Sequence, residues 1–211
     1  MEMPPSRQTQ APPMSARIKL LDAAHHVVRR KGYAATSVDE ICAAAGVSKG
    51  AFFHHFASKE ALGVAAAEQW TNRAAPMFEF PPHTKLADPL DRFLGHIDFR
   101  FAMLEGPVAD FTCFVGTMLQ ESFATSDPIR VACDASISAY CERLAVDIQQ
   151  AIDLYETTHP VTALGLARHT QAVLQGGFIM AKAKNDPEIA RDSVAHLKLY
   201  VEMLFKRGEL K

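Results

Sequence analysis

The residues best equipped for chemistry lie within 37–59, SVDEICAAAGVSKGAFFHHFASK, and what they offer is recognition rather than bond-making. Ser48 can open a short helix carrying Lys49, Phe52, Phe53, His54, His55 and Phe56. A lysine ammonium can donate to a base edge or a phosphate. Phe52 and Phe56, four residues apart, predict core contacts rather than base contacts. Neighbouring helical residues point about 100° apart, and no carboxylate or thiol joins His54 and His55, so the pair predicts no metal site. No G-x-S-x-G, H-E-x-x-H, P-loop or dinucleotide fingerprint occurs, so the sequence nominates no catalytic residue and no cofactor.

The elements that must position these side chains are legible from caps. Ser37 with Glu40 three residues later fits the capping box that starts a helix. Ile41, Ala44 and Ala45 give that helix a small apolar face, and Gly46 stands where a left-handed residue ends it. Two short helices joined by a tight Gly-containing turn form a helix-turn-helix, an arrangement suited to reading DNA. A first helix over 15–31 is predicted from the Ser15 cap and the stripe Leu20, Leu21, Ala24, Val27 and Val28. It ends in Arg29-Arg30-Lys31, cations favoured at a helix C-terminus and able to face phosphate from the flank.

The chain has 211 residues, 48% hydrophobic and 22% charged, with a formal net charge of −2. Residues 1–60 hold eight basic and five acidic side chains, so a basic N-terminal part sits on an acidic body. That distribution suits a polyanion held by one end; chance placement is the bland alternative. Four cysteines, at 42, 113, 133 and 141, show neither C-x-x-C nor zinc-site spacing. Cys42, among apolar helix residues, reads as a small buried hydrophobe. With no signal peptide and no membrane-length apolar run, the expected compartment is the cytosol.

Residues 1–14, with four prolines, read as a disordered arm whose one basic residue is Arg7. Residues 15–60 read as the helix-turn-helix domain and 61–211 as a larger second domain. A fourth helix is predicted over 58–75, then a loop over 76–82. Asp88-Pro89, Asp127-Pro128 and Asp186-Pro187, with His159-Pro160, mark further starts, giving helices over 89–104, 110–123, 128–156, 160–184 and 187–206. No strand pattern is found, so the fold is all-α with about nine helices. The last two helices are apolar on more than one face and so need more than one partner. A second copy of the chain, forming a two-fold four-helix interface, is the expected one.

The stretch LLDAAHHVVRRKGYAATSVDEICAAAGVSKGAFFHHFASKEAL, residues 20–62, resembles the DNA-binding domain of the TetR family of bacterial transcriptional regulators. The resemblance implies a homodimer, usually a repressor, released from a palindromic operator by a small ligand. It further implies that Lys49, Gly50 and Ala51 face base edges, with Phe53 and His55 beside the backbone. Thr36 and Ser37 would meet phosphate at a helix N-terminus, Lys59 would reach it through its ammonium, and Ser48 and His54 would belong to the same DNA-binding set. At position 53 the family often carries a tyrosine whose hydroxyl binds phosphate; here it is Phe, and His54 or Thr36 would have to compensate. The competing reading is a helical adaptor that uses the motif for protein contacts alone.

The segment 70–123 is rich in Phe and Met, most of them core, yet suited to a mostly apolar effector cavity. Trp70, His96, Arg100, Cys113, Phe114, Met118 and Tyr140 are the candidate ligand residues, with Thr112 and Gln120 as further polar handles. The run Phe111-Thr112-Cys113-Phe114 resembles a TetR subgroup in which a cysteine opens the same helix and some members sense electrophiles. A thiol near a helix N-terminus is favoured as thiolate. An inert packing role for Cys113 is the alternative.

Overall fold

The computed structural model describes residues 14–210, and the arm expected over 1–14, with Arg7, lies outside them apart from Met14. Four capped helices build the N-terminal part. Ser15 opens α1 (Ala16–Lys31), which stops at Gly32 with φ 90°. The capping box of α2 (Val38–Ala45) is complete: Ser37 Oγ accepts the Glu40 amide at 3.2 Å, and the Glu40 carboxylate accepts the Ser37 amide at 2.8 Å. A hydrogen bond from Lys31, then those from Ser37, hold the Glu40 carboxyl down to about 2. Ser48 caps α3 (Lys49–His55) through the Ala51 amide at 3.1 Å, and Ser58 caps α4 (Lys59–Ala74) through the Ala61 amide at 3.0 Å.

Beyond α4, two single 3₁₀ turns, Ala75–Phe78 and Pro82–Lys85, occupy the expected loop and its continuation. Asp88 caps α5 (Pro89–Ala102) as predicted. The helix expected over 110–123 is instead two: α6 (Val108–Phe111) and α7 (Phe114–Ser122). Thr112 and Cys113 between them are extended, and the Cys113 side chain caps α7 by accepting the Gly116 amide. Ser126, not Asp127, caps α8 (Asp127–Leu154), and α9 (Ala163–Lys184) begins after Thr162, later than expected from Pro160. With α10 (Glu188–Leu204), the described residues contain ten α-helices rather than nine.

The expectation of no strand is also corrected. β1 (Tyr155–Thr157) pairs antiparallel with β2 (Phe205–Leu210), trimming the expected ends of α8 and α10. The Thr158 amide donates to Leu204 at 2.8 Å, and the Tyr155 hydroxyl donates to the Asp88 carboxylate at the start of α5. Pairing two such distant segments is a tertiary event that local pattern does not encode.

Two apolar clusters form. One joins Leu20, Leu21, Ile41, Phe52, Leu62 and Ala66 of the N-terminal helices to Met118 of α7 and Ile129 of α8. The other packs α5, α8, α9 and α10 around Phe93, Ile97, Leu144, Leu174, Leu197 and Val201. Each fully buried Leu or Phe contributes on the order of 2 kcal/mol. The core of the N-terminal helices thus does not stop at residue 60 but continues through α4 into the larger body. None of the helices, among the described residues, is long and apolar enough to cross a membrane.

Candidate DNA-reading head and effector cavity

The turn between α2 and α3 rests on Gly46, whose φ of 63° and ψ of 38° are left-handed, with its amide donating to the carbonyls of Cys42 and Ala43. That turn lets α3 lay Phe52, fully buried, and Phe56 against α1 and α2. Lys49, Gly50, Phe53 and His54, at i, i+1, i+4 and i+5, form the opposite, exposed face. Phe53 is 53% exposed, a large aromatic ring held out to solvent. Lys49 Nζ lies 2.9 Å from Asp39, an exposed pair that a stronger anion can displace. Ser37 and Ser48 are exposed, whereas Ala51 and His55 are half-buried at the edge of this face.

Two expected phosphate ligands are placed differently. Thr36 is buried, and its hydroxyl donates to the Gly32 carbonyl at 2.6 Å. Lys59 turns its ammonium inward, donating to the carbonyls of Tyr33 at 3.0 Å and Thr36 at 2.9 Å, over the Tyr33 ring. Burial pushes the Lys59 pKa down from its ordinary value. The six residues between α1 and α2 leave carbonyls that need donors, and these two side chains supply some of them. Nearby, the Ala34 amide donates to Glu121 of α7 at 2.6 Å, and a Cβ on Gly32 would sit 2.3 Å from that carboxylate. The head is therefore seated on the body by polar contacts as well as core.

Where the body meets α1 and α4 there is a cavity of about 280 Å³. Arg29 comes from α1, Trp70 and Arg73 from α4, Arg100 from α5, Phe111 from α6 and Tyr140 from α8. Gln171 and Gln175 of α9 close the far side. His25 ties α1 to α4 behind it: Nε2–H donates to the Ala66 carbonyl at 2.8 Å, so Nδ1 is left to accept from Arg73 at 3.3 Å. Burial lowers the His25 pKa to about 4, keeping the ring neutral. Arg73 also pairs with Asp22. Arg29 donates to its own helix at the His25 carbonyl and crosses to the Asp110 carbonyl of α6 at 2.5 Å. A molecule in this space touches both helices that carry the head.

Residues 20–66 match the profile of bacterial regulatory proteins of the tetR family, and residues 89–197 match a tetracyclin repressor-like C-terminal domain. The second match alone spans more than half of the chain. The chain belongs to the TetR family. Over 52 residues it is 42% identical to the uncharacterized HTH-type transcriptional regulator YerO of Bacillus subtilis, a stretch making up 25% of this chain and 18% of YerO. The chain thus spans less than a fifth of that relative's length. The transcriptional regulator AcuR of Cereibacter sphaeroides is 28% identical over 173 residues, 80% of this chain and 77% of AcuR. The reduced form of Escherichia coli NemR shares the fold, with a TM-score of 0.75 at 22% identity over 90% of this chain and 97% of that one.

Within this TetR-family chain the expected effector residues divide. Trp70, Arg100, Cys113 and Tyr140 line the cavity. His96 lies behind it, buried, with Nε2 2.7 Å from the Tyr140 hydroxyl. Phe114 and Met118 are not at the cavity; both are buried in the core beneath the head. The reason is the start of α7: Phe114 and Met118, four apart, turn together toward α1 and α4, while Cys113 and Val115 face the opening. Thr112 and Gln120 border a neighbouring cavity of about 240 Å³ instead. Arg29, Arg73, Gln171 and Gln175 escaped the sequence reading. Arg29 had a sufficient local explanation as a C-terminal cation, whereas Gln171 and Gln175, four apart on α9, share one helix face and were a usable signal. Cys42, Cys133 and Cys141 are buried; Cys113 is half-buried. Among the described residues no cluster of metal-ligating side chains occurs.

Proposed function

We propose that this protein is a cytoplasmic, homodimeric repressor that reads a palindromic operator with α3 and releases it when a small molecule fills the cavity. The observation that carries this is the cavity's placement: Arg29 of α1 and Trp70 and Arg73 of α4 form part of its wall. An occupant that binds one arrangement of α1 and α4 better than another shifts the separation of two heads. In the DNA complex Lys49, Gly50 and Ala51 face base edges, and Ser37, Ser48 and His54 meet phosphate around them. Thr36 and Lys59 shape the loop that holds α2 in place.

The dimer forms through α9 and α10, the helices expected over 160–184 and 187–206. Ile179 and Met180 on α9 and Leu199, Tyr200 and Met203 on α10 are exposed, Met203 at 70%. Exposed apolar side chains on two helices packed against each other fit an isologous partner. Dimer geometry then places the two α3 helices in successive major grooves about 34–36 Å apart.

Selection of bound fragments from random DNA tests this reading. An inverted repeat with half-sites about one helical turn apart is expected. No enriched sequence, or a single undivided site, rejects it. A second reading makes Cys113 the sensing group, because it alone among the four cysteines is half-exposed and borders the cavity. Mass spectrometry after mild electrophile treatment separates the two: no preferential Cys113 adduct, with DNA affinity unchanged, removes it.

A further inference from the structure

The cavity has an unequal charge inventory. Three guanidiniums border it, from Arg29, Arg73 and Arg100, against the single carboxylate of Asp110. Asp110 is already drawn toward Arg30, 3.7 Å away. Arg73 has Asp22, and Arg29 is held by two backbone carbonyls. Burial pushes the Arg29 pKa down, and the nearby Asp110 carboxylate acts in the opposite direction.

Arg100 is the exception among these. Its Nη1 reaches only the Met77 thioether at 3.3 Å, a weak acceptor. Its guanidinium carbon stands 5.7 Å from the Tyr140 ring centre, and its Nε is buried with no hydrogen-bond partner. Among the described residues no carboxylate pairs with it. A buried guanidinium donor left unmade is costly, and the guanidinium as a whole borders the cavity, where its fork of N–H donors can meet the two oxygens of a carboxylate. Around it the wall is apolar and adaptable, with Met77, Met103, Phe111 and Trp70 facing the same space. The volume, about 280 Å³, is at the small end for a ligand pocket.

We propose that the cavity takes a small organic monocarboxylate with an apolar body, its carboxylate held by the Arg100 guanidinium and its body lying among Met77, Met103, Phe111 and Trp70. This rests on the reading of the cavity as the effector site. The Tyr140 hydroxyl is engaged with His96, so it fixes the wall beside Arg100 rather than supplying charge. Gln171 and Gln175 also line the cavity, where their amides can meet a polar group of the ligand.

The test is calorimetric titration of the protein with 3-phenylpropanoate and octanoate, each against its neutral amide. The acids should bind at least about tenfold tighter than the amides. Arg100→Met should bring each pair within about twofold while keeping amide binding and operator binding, and Arg100→Lys should restore part of the preference. Arg100→Gln serves if the Met variant fails to fold. Failure of both acids to bind, amides matching acids, or a preference that survives Arg100→Met and Arg100→Gln overturns the proposal. Operator affinity is measured with the same ligands. Arg100-dependent acid binding without operator release leaves the anion site standing and removes the effector reading. Release by the amides and acids alike, independent of Arg100, does the reverse.

Discussion

The ammonium of Lys59, at the first turn of α4, donates to the carbonyl of Thr36 at 2.9 Å, just ahead of α2. With the second bond to Tyr33, it holds the 32–36 loop that fixes where the reading pair sits on α1. Lys59→Ala should therefore lower stability by about 1–3 kcal/mol, the range for hydrogen bonds to a charged group. It should weaken binding to all DNA sequences alike, with an unchanged salt slope. Lys49→Ala should leave the melting temperature nearly unchanged, because its pair with Asp39 is exposed. It should instead alter preference among operator sequences. Thermal melts and competition binding with variant operators check both.

Phe53 supplies a gain-of-function test. Its ring stands outward on α3, so a para hydroxyl added to it would meet solvent rather than core. Phe53→Tyr should leave stability unchanged and tighten operator binding by up to about 1 kcal/mol, a net phosphate hydrogen bond. Fluorescence anisotropy on the selected operator reads this directly, and equal or weaker binding would place residue 53 away from the phosphates.

His25 sets a pH dependence whose sign is fixed by its lowered pKa. The unfolded chain takes up this proton near 6.5, the folded one only near 4. Folding is thus penalised as pH falls from 6.5 to about 4, by about 3 kcal/mol at most, with no further loss from this group below that. Burial shifts His96 in the same direction and adds to the slope. His25→Gln, which can keep the donor to Ala66, should flatten much of the acid destabilisation measured by urea unfolding between pH 7 and 4.

The α9–α10 face gives a prediction on assembly. Met203→Glu places a charge on an outward side chain, so helicity should be kept. If that face is the dimer interface, dimer affinity should fall by at least about tenfold, since an unpaired charge is costly to bury there. Light scattering after gel filtration should show monomer, and operator affinity should fall with it. A dimer of unchanged strength would move the interface elsewhere.

The parts legible in the sequence were those encoded locally. Ser37, Glu40, Gly46 and Ser48 fix α2 and α3 within a few residues, so the head could be outlined from caps alone. The break at Thr112 and Cys113 was hidden because both flanks carry apolar helical pattern and the cysteine replaces an oxygen cap. The β1–β2 ribbon joins segments after α8 and α10 and has no local signature. Side-chain direction was the other gap. Lys59 and Thr36 lie at surface-like positions in the sequence but spend their donors on a loop, and Phe114 and Met118 face the head's core rather than the cavity.

Affinity of the protein for its selected operator, measured across a series of salt concentrations, decides whether α3 and its surroundings read DNA. Log K should fall linearly with log salt, the signature of cationic side chains of the N-terminal helices displacing counterions from phosphates. A scrambled operator should bind far more weakly at every salt concentration. Binding indifferent to both salt and sequence would contradict a DNA-reading head and favour a helical adaptor.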